Sequence, residues 1–176
     1  MALYCPIHGR VRVRFEPTAA RLWKRLAREE RNAAAASFWK ETPPEVTGMA
    51  LAALVKARHM RPQVARSLPP EEQARALASV LDVGEPVASS LLVALHLGER
   101  RPMLATFLDA AGLPHENGLL KDEAEEGDVT PEAAGKGVTA LRAAGHTPEQ
   151  VRTYLNTLWL QDPDRWKVLE DLPEPE

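Results

Sequence analysis

Proline and glycine punctuate this chain so regularly that they limit its fold to a series of short helices. Its 176 residues include 15 prolines and 10 glycines, set singly or in pairs between apolar runs rather than in tracts. TPEQ (147–150) offers Thr147 as a cap, Pro148 at the first helical position and Gln150 placed to bond back to the cap. TPEA (130–133) repeats the plan. So do SLPPEE (67–72) and TPPEV (42–46), the latter with Thr42 capping, Pro43 first in the helix and Glu45 closing the box. GEP (84–86) and RRP (100–102) are weaker versions. Gly84, Gly98, Gly112 and Gly145 each follow an apolar-rich run and suit the left-handed backbone past a helix end.

This punctuation predicts helices at 17–40, 44–60, 69–81, 86–97, 101–111, 131–144 and 148–160, with a short one at 163–170. The first would bury Leu22, Leu26, Ala33 and Ala36, or else Trp23, Ala27, Ala34 and Phe38, along one stripe. Ahead of it, RVRVRF (10–15) alternates arginine with Val11, Val13 and Phe15, the period of a half-buried strand and the only convincing one in the chain. Pro17 ends that strand and opens the first helix. The expected fold is all-α: a single domain of about seven helices over 17–170, an N-terminal strand or extended arm over 1–16, and a frayed tail over 171–176. An irregular bundle is the primary reading. The alternative is a short α-solenoid of helical hairpins, because FLDAAGLPHEN (107–117) aligns with ALRAAGHTPEQ (140–150), pairing Leu108 with Leu141 and Gly112 with Gly145.

A single cysteine rules out an internal disulfide and fits a reducing compartment. No apolar run reaches the roughly 18 residues that span a bilayer. Arg10, Arg12 and Arg14 occupy the place where a signal peptide would be apolar. A cytoplasmic protein with no membrane partner is expected.

Local chemistry is scarce. Cys5 and His8 in CPIHG have the spacing of half a zinc site, but His59, His96, His115 and His146 are scattered and there is no second cysteine. His59 and His96 fall near predicted helix ends, where a histidine caps carbonyls or meets the helix dipole. HENGL (115–119) fails as HExxH because its last position is Leu119. DEAEEGD (122–128) fails as a calcium loop, since Ala124 and Ala133 fall where ligands are needed. No phosphate-binding glycine fingerprint and no GxSxG is present. The sequence therefore names no catalytic residue, no metal and no cofactor.

Charge is the one feature above background. Residues 1–70 carry a net +8 and residues 71–176 a net −11. Arg10, Arg12 and Arg14, followed by Arg21, Lys24, Arg25, Arg28 and Arg31 at helical spacing, form a candidate phosphate- or partner-binding stripe. Asp122, Glu123, Glu125, Glu126 and Asp128 form a candidate acidic patch. The expected function is a non-enzymatic, helical protein–protein interaction or scaffold module, its partner another protein or a second copy, with the monomer favoured. The alternative is a nucleic-acid-binding protein that uses the arginine-rich N-terminal segment.

Overall fold

The first predicted helix is two helices. A computed structural model describes residues 15–121 and 129–172, and the run from 17 to 40 divides into α1 (Ala19–Arg25) and α2 (Arg28–Glu41). Leu26 and Ala27 between them are extended, with ψ of 143° and 155°. Neither residue is a helix breaker, so the cause is tertiary. On one straight helix, Leu22 and Leu26 would face a different direction from Ala34 and Phe38. The break turns both sets inward, and Leu22, Trp23, Leu26, Ala34, Ala35 and Phe38 are all buried, whereas Ala27 and Ala36 are exposed. The backbone groups freed by the break find partners. Ala27 N–H donates to the Glu30 carboxylate at 3.0 Å, and Arg31 donates to the carbonyls of Leu26 (2.5 Å) and Ala78 (2.9 Å).

The other helices follow the punctuation: α3 (Pro44–Arg58), α4 (Pro62–Ser67), α5 (Pro70–Ala78), α6 (Glu85–Leu97), α7 (Arg101–Ala111), α8 (Pro131–Ala143) and α9 (Pro148–Gln161), then a 3-10 turn at Lys167–Asp171 where the short last helix was expected. The fold is all-α, and among the described residues there are nine α-helices. The single turn-and-a-half of α4 was not expected. Thr130 and Thr147 cap as predicted, and Gln150 closes its box onto Thr147 N–H at 3.0 Å. Thr42 does not cap α3: it ends α2, while Pro43 is the cap and Pro44 the first helical residue. SLPPEE behaves alike, with Pro69 and Pro70 in those roles. In a Pro-Pro pair the first proline is held extended by the second, so only the second can be helical. Gly112 (φ +72°) and Gly145 (φ +86°) take the left-handed backbone expected of them. Gly84, also left-handed, starts α6 rather than ending α5. Gly98 has φ −83°, and a Cβ there would collide with the side chain of Ser37, so close packing requires it.

The strand predicted over 10–15 lies, apart from Phe15, outside the described residues. Phe15 is half-buried with its ring 5.3 Å from that of Trp159, and Glu16 N–H donates to the Asn156 side chain at 2.7 Å. Sheet occurs elsewhere, as a hairpin the sequence reading did not anticipate: β1 (His115–Glu116) pairs antiparallel with β2 (Leu119–Leu120). Its turn residues Asn117 (φ +52°) and Gly118 (φ +85°) are both left-handed, the geometry for which Asn-Gly is the preferred pair.

Two hydrophobic cores result. One gathers α1 to α6 around Trp23, Phe38, Leu54, Leu77 and Leu91, and the other gathers α7 to the 3-10 turn around Phe107, Leu141, Tyr154, Trp166 and Leu169. Helix α6 joins them. It touches α1, α2 and α3 on one side and α7 and α9 on the other, and it is buried nearly all round. Its Glu85 carboxylate also caps α1, accepting from Ala19 N–H (2.6 Å) and Ala20 N–H (3.0 Å). A solenoid repeat touches only its sequence neighbours. Helix α6 reaches far beyond its own, so the architecture is an irregular bundle.

Candidate functional site: an apolar pocket beside the second core

Ligand sites are concave and mostly apolar, and the second core borders such a cavity of about 250 Å³. Helix α6 contributes Val93, His96 and Leu97, α7 contributes Leu104 and Leu108, and the hairpin contributes Gly118, Leu119 and Leu120. Helix α9 supplies Tyr154, Thr157, Leu158 and Gln161, and Trp166 completes the wall. Among the described residues, no Asp, Glu, Lys or Arg lines it.

The hairpin can form this wall only because residue 118 is glycine. Its backbone is left-handed, and an added Cβ would lie 2.9 Å from the Cβ of Leu104 on α7. His115 pins the same hairpin: Nε2 lies 3.0 Å from Asp109 on α7, and Nδ1 accepts from Gly118 N–H at 3.2 Å. Leu119 is left about half exposed at the pocket's edge.

Three polar side chains of the wall are buried: His96, Tyr154 and Thr157. Thr157 Oγ1 lies 2.9 Å from the carbonyl of Thr153 and 3.2 Å from His96 Nε2. A carbonyl has no proton to offer, so the one threonine proton goes to Thr153. Nε2 must then carry the imidazole proton and donate it to Thr157. Nδ1 is thereby left a bare acceptor, buried with no hydrogen-bond partner among the described residues. Burial, and secondarily the guanidinium of Arg100, hold the His96 pKa at about 3 instead of 6.5, so the ring is neutral. Burial alone pushes the Tyr154 hydroxyl above its usual value of 10, with no hydrogen bond contributing. The His96 and Tyr154 rings lie 5.2 Å apart, and Tyr154 stacks edge-on to Phe107 at 5.3 Å.

Other hollows differ in kind. A cleft of about 420 Å³ is lined by Glu29, Glu30, Glu99, Arg100, His146 and Gln150 among others. Its central Glu30–Arg100 ion pair, with side chains 14% and 12% exposed, ties α2 to the start of α7 and so one core to the other. A hollow of about 600 Å³ near Lys56, Arg58, His59 and Asp82 contains no buried unpartnered polar atom.

The break after α1 divides the helical part of the predicted stripe, with Arg21, Lys24 and Arg25 on α1 and Arg28 and Arg31 on α2. Lys24 lies 3.8 Å from Asp82 with both side chains well exposed, and Arg25 pairs with Glu16. Arg31 is held by the two carbonyls that secure the break. Arg21 and Arg28 are exposed on separate helices. Arg10, Arg12, Arg14, Cys5, His8 and the acidic patch Asp122, Glu123, Glu125, Glu126 and Asp128 lie outside the described residues. Among the described residues, no three His, Cys, Asp or Glu side chains are grouped to hold a metal ion, and no helix is long and apolar enough to cross a membrane.

Sequence reasoning placed His96 at a helix end but assigned it to capping. Its ring instead bonds across to α9. The available signal was a lone imidazole in the otherwise apolar run SLLVALHL (90–97). Tyr154, Thr157 and Trp166 gave no such signal, because only the crossing of α6 and α9 brings them to it. Set against known proteins, the chain matches no family model, no curated protein and no solved structure.

Proposed function

We propose that this chain is a helical binding module whose site is the pocket between α6, α7, α9 and the hairpin, and whose partner presents an uncharged, mainly apolar group there. The observation that carries this reading is the lining: among the described residues it has apolar walls, no charged side chain, and buried polar groups confined to His96, Tyr154 and Thr157. An ionised group entering such a pocket would lose its hydration with no counter-charge to replace it.

The same side chains favour binding over catalysis. Proton-transfer groups work best with a pKa near the working pH. His96 at about 3 is too weak a base, and burial makes Tyr154 a still weaker acid than usual. Both groups are suited to hydrogen bonding and ill suited to moving protons. The test is an amide NMR titration with small uncharged probes, such as an alkylbenzene and an alkylphenol, alongside an anionic counterpart, an alkylbenzoate. Shifts confined to Val93, Leu97, Leu119 and Leu158 for the uncharged probes are expected. Shifts at other surfaces only, or stronger binding of the benzoate, would refute the proposal.

A further inference from the structure

We infer that the pocket selects a small, ring-sized, uncharged molecule bearing one hydroxyl or N–H, and that this group donates its hydrogen bond to Nδ1 of His96. The inference rests on the binding reading above and specifies its ligand.

The volume comes first. Drug-sized ligands occupy pockets of roughly 300–1,000 Å³, and about 250 Å³ falls just below that range, which suits one or two rings. The walls come second. Leucines of α6, α7, α9 and the hairpin, with Leu119 half exposed at the edge, give a ring an aliphatic surface to pack against.

The polar complement comes third and is the most specific. The tautomer forced by Thr157 and Thr153 leaves Nδ1 an acceptor, and no donor among the described residues reaches it. Buried polar atoms without partners are rare in folded proteins and each calls for an explanation. A ligand donor supplies one. Nδ1 is sealed from solvent, so the donor reaches it as neighbouring side chains part, an adjustment of the size interface rotamers commonly make on binding. A carboxylate or phosphate would bring lone pairs to a lone pair and is excluded. An ammonium group would be stripped of water beside uncharged walls, with the Arg100 guanidinium close enough to act on His96.

The probes are 4-ethylphenol and its methyl ether, which share a ring and differ in the donor. Affinities are read by NMR titration, with the 15N resonance of His96 Nδ1 followed in the same samples. The phenol should bind about tenfold more tightly than the ether, equivalent to about 1.4 kcal/mol, although the ether is the more apolar. The Nδ1 resonance should move with the phenol only. In His96→Phe the ratio should fall to about one. If that variant fails to fold, the wild-type ratio and the Nδ1 signal still decide. Equal affinities with shifts confined to the pocket would leave the binding site standing and overturn the role of Nδ1. Failure of both probes to bind would overturn the site itself.

Discussion

Acidification should unfold this protein partly through one residue. His96 in the folded chain has a pKa of about 3, whereas an unfolded histidine titrates near 6.5. Between those values the unfolded chain binds a proton that the folded chain refuses, so stability falls as the pH falls. The contribution is complete above about pH 6.5, has shrunk by about 2 kcal/mol at pH 5, and reaches a total loss of about 5 kcal/mol below pH 3. The groups that face the imidazole do not relieve this. Arg100 is a cation and disfavours a second one, Tyr154 has no charge to give, and Thr157 already accepts the Nε2 proton. Carboxylates elsewhere also titrate in this range, so the informative quantity is a difference between two proteins. His96→Gln keeps an N–H for Thr157 and has no proton to take up. Urea unfolding followed by far-UV circular dichroism at about pH 7 and pH 5 should show the wild type losing about 2 kcal/mol more than the variant over that interval. Parallel losses would mean that His96 titrates normally in the fold, and the argument for a neutral, acceptor-bearing imidazole would collapse with it.

Two glycines of α8, two residues apart, should respond to alanine with opposite signs. At Gly135 an added Cβ meets nothing within 4 Å, so Gly135→Ala should stabilise by about 0.5–1 kcal/mol, whereas at Gly137 it would lie 2.5 Å from the Phe107 ring and should cost about 1–3 kcal/mol. Thermal melts that shift the same way for both would contradict the α7–α8 packing. Removing one member of the partly buried Glu30–Arg100 pair, as in Glu30→Gln, should cost about 1–3 kcal/mol, yet the double variant Glu30→Gln/Arg100→Gln should cost clearly less than the two single changes combined. Additive losses in urea unfolding would argue that the pair does not tie the cores together. Gly118→Ala should strain the hairpin turn by about 1–2 kcal/mol and push it from Leu104, weakening 4-ethylphenol binding in the NMR titration. Unchanged affinity would remove the hairpin from the site.

The local code of this chain determined its helices and most of their limits. Thr130–Pro131 and Thr147–Pro148 start α8 and α9, and Gly112 and Gly145 end α7 and α8, because capping depends on a few neighbouring residues and is complete within one turn. Asn117–Gly118 carried an equally local hairpin signal, which was overshadowed by the failed metal motif around it. What sequence alone did not determine has one physical origin: it depends on groups far apart in the chain. The break at Leu26–Ala27 is invisible locally, since neither residue resists helix, and it exists because Trp23 and Phe38 must reach the same core and Ala78 offers Arg31 a carbonyl 47 residues away. The helical part of the basic stripe, Arg21, Lys24, Arg25, Arg28 and Arg31, was a straight-helix pattern, and the same break divides it between α1 and α2. The pocket is the clearest case. His96 and Thr157 are separated by 61 residues and meet only because α6 crosses α9; the proton on Nε2, the bare Nδ1 and the low pKa all follow from that crossing. Side-chain periodicity tells which residues turn inward, but which inward residues meet is decided by the packing of the helices that carry them.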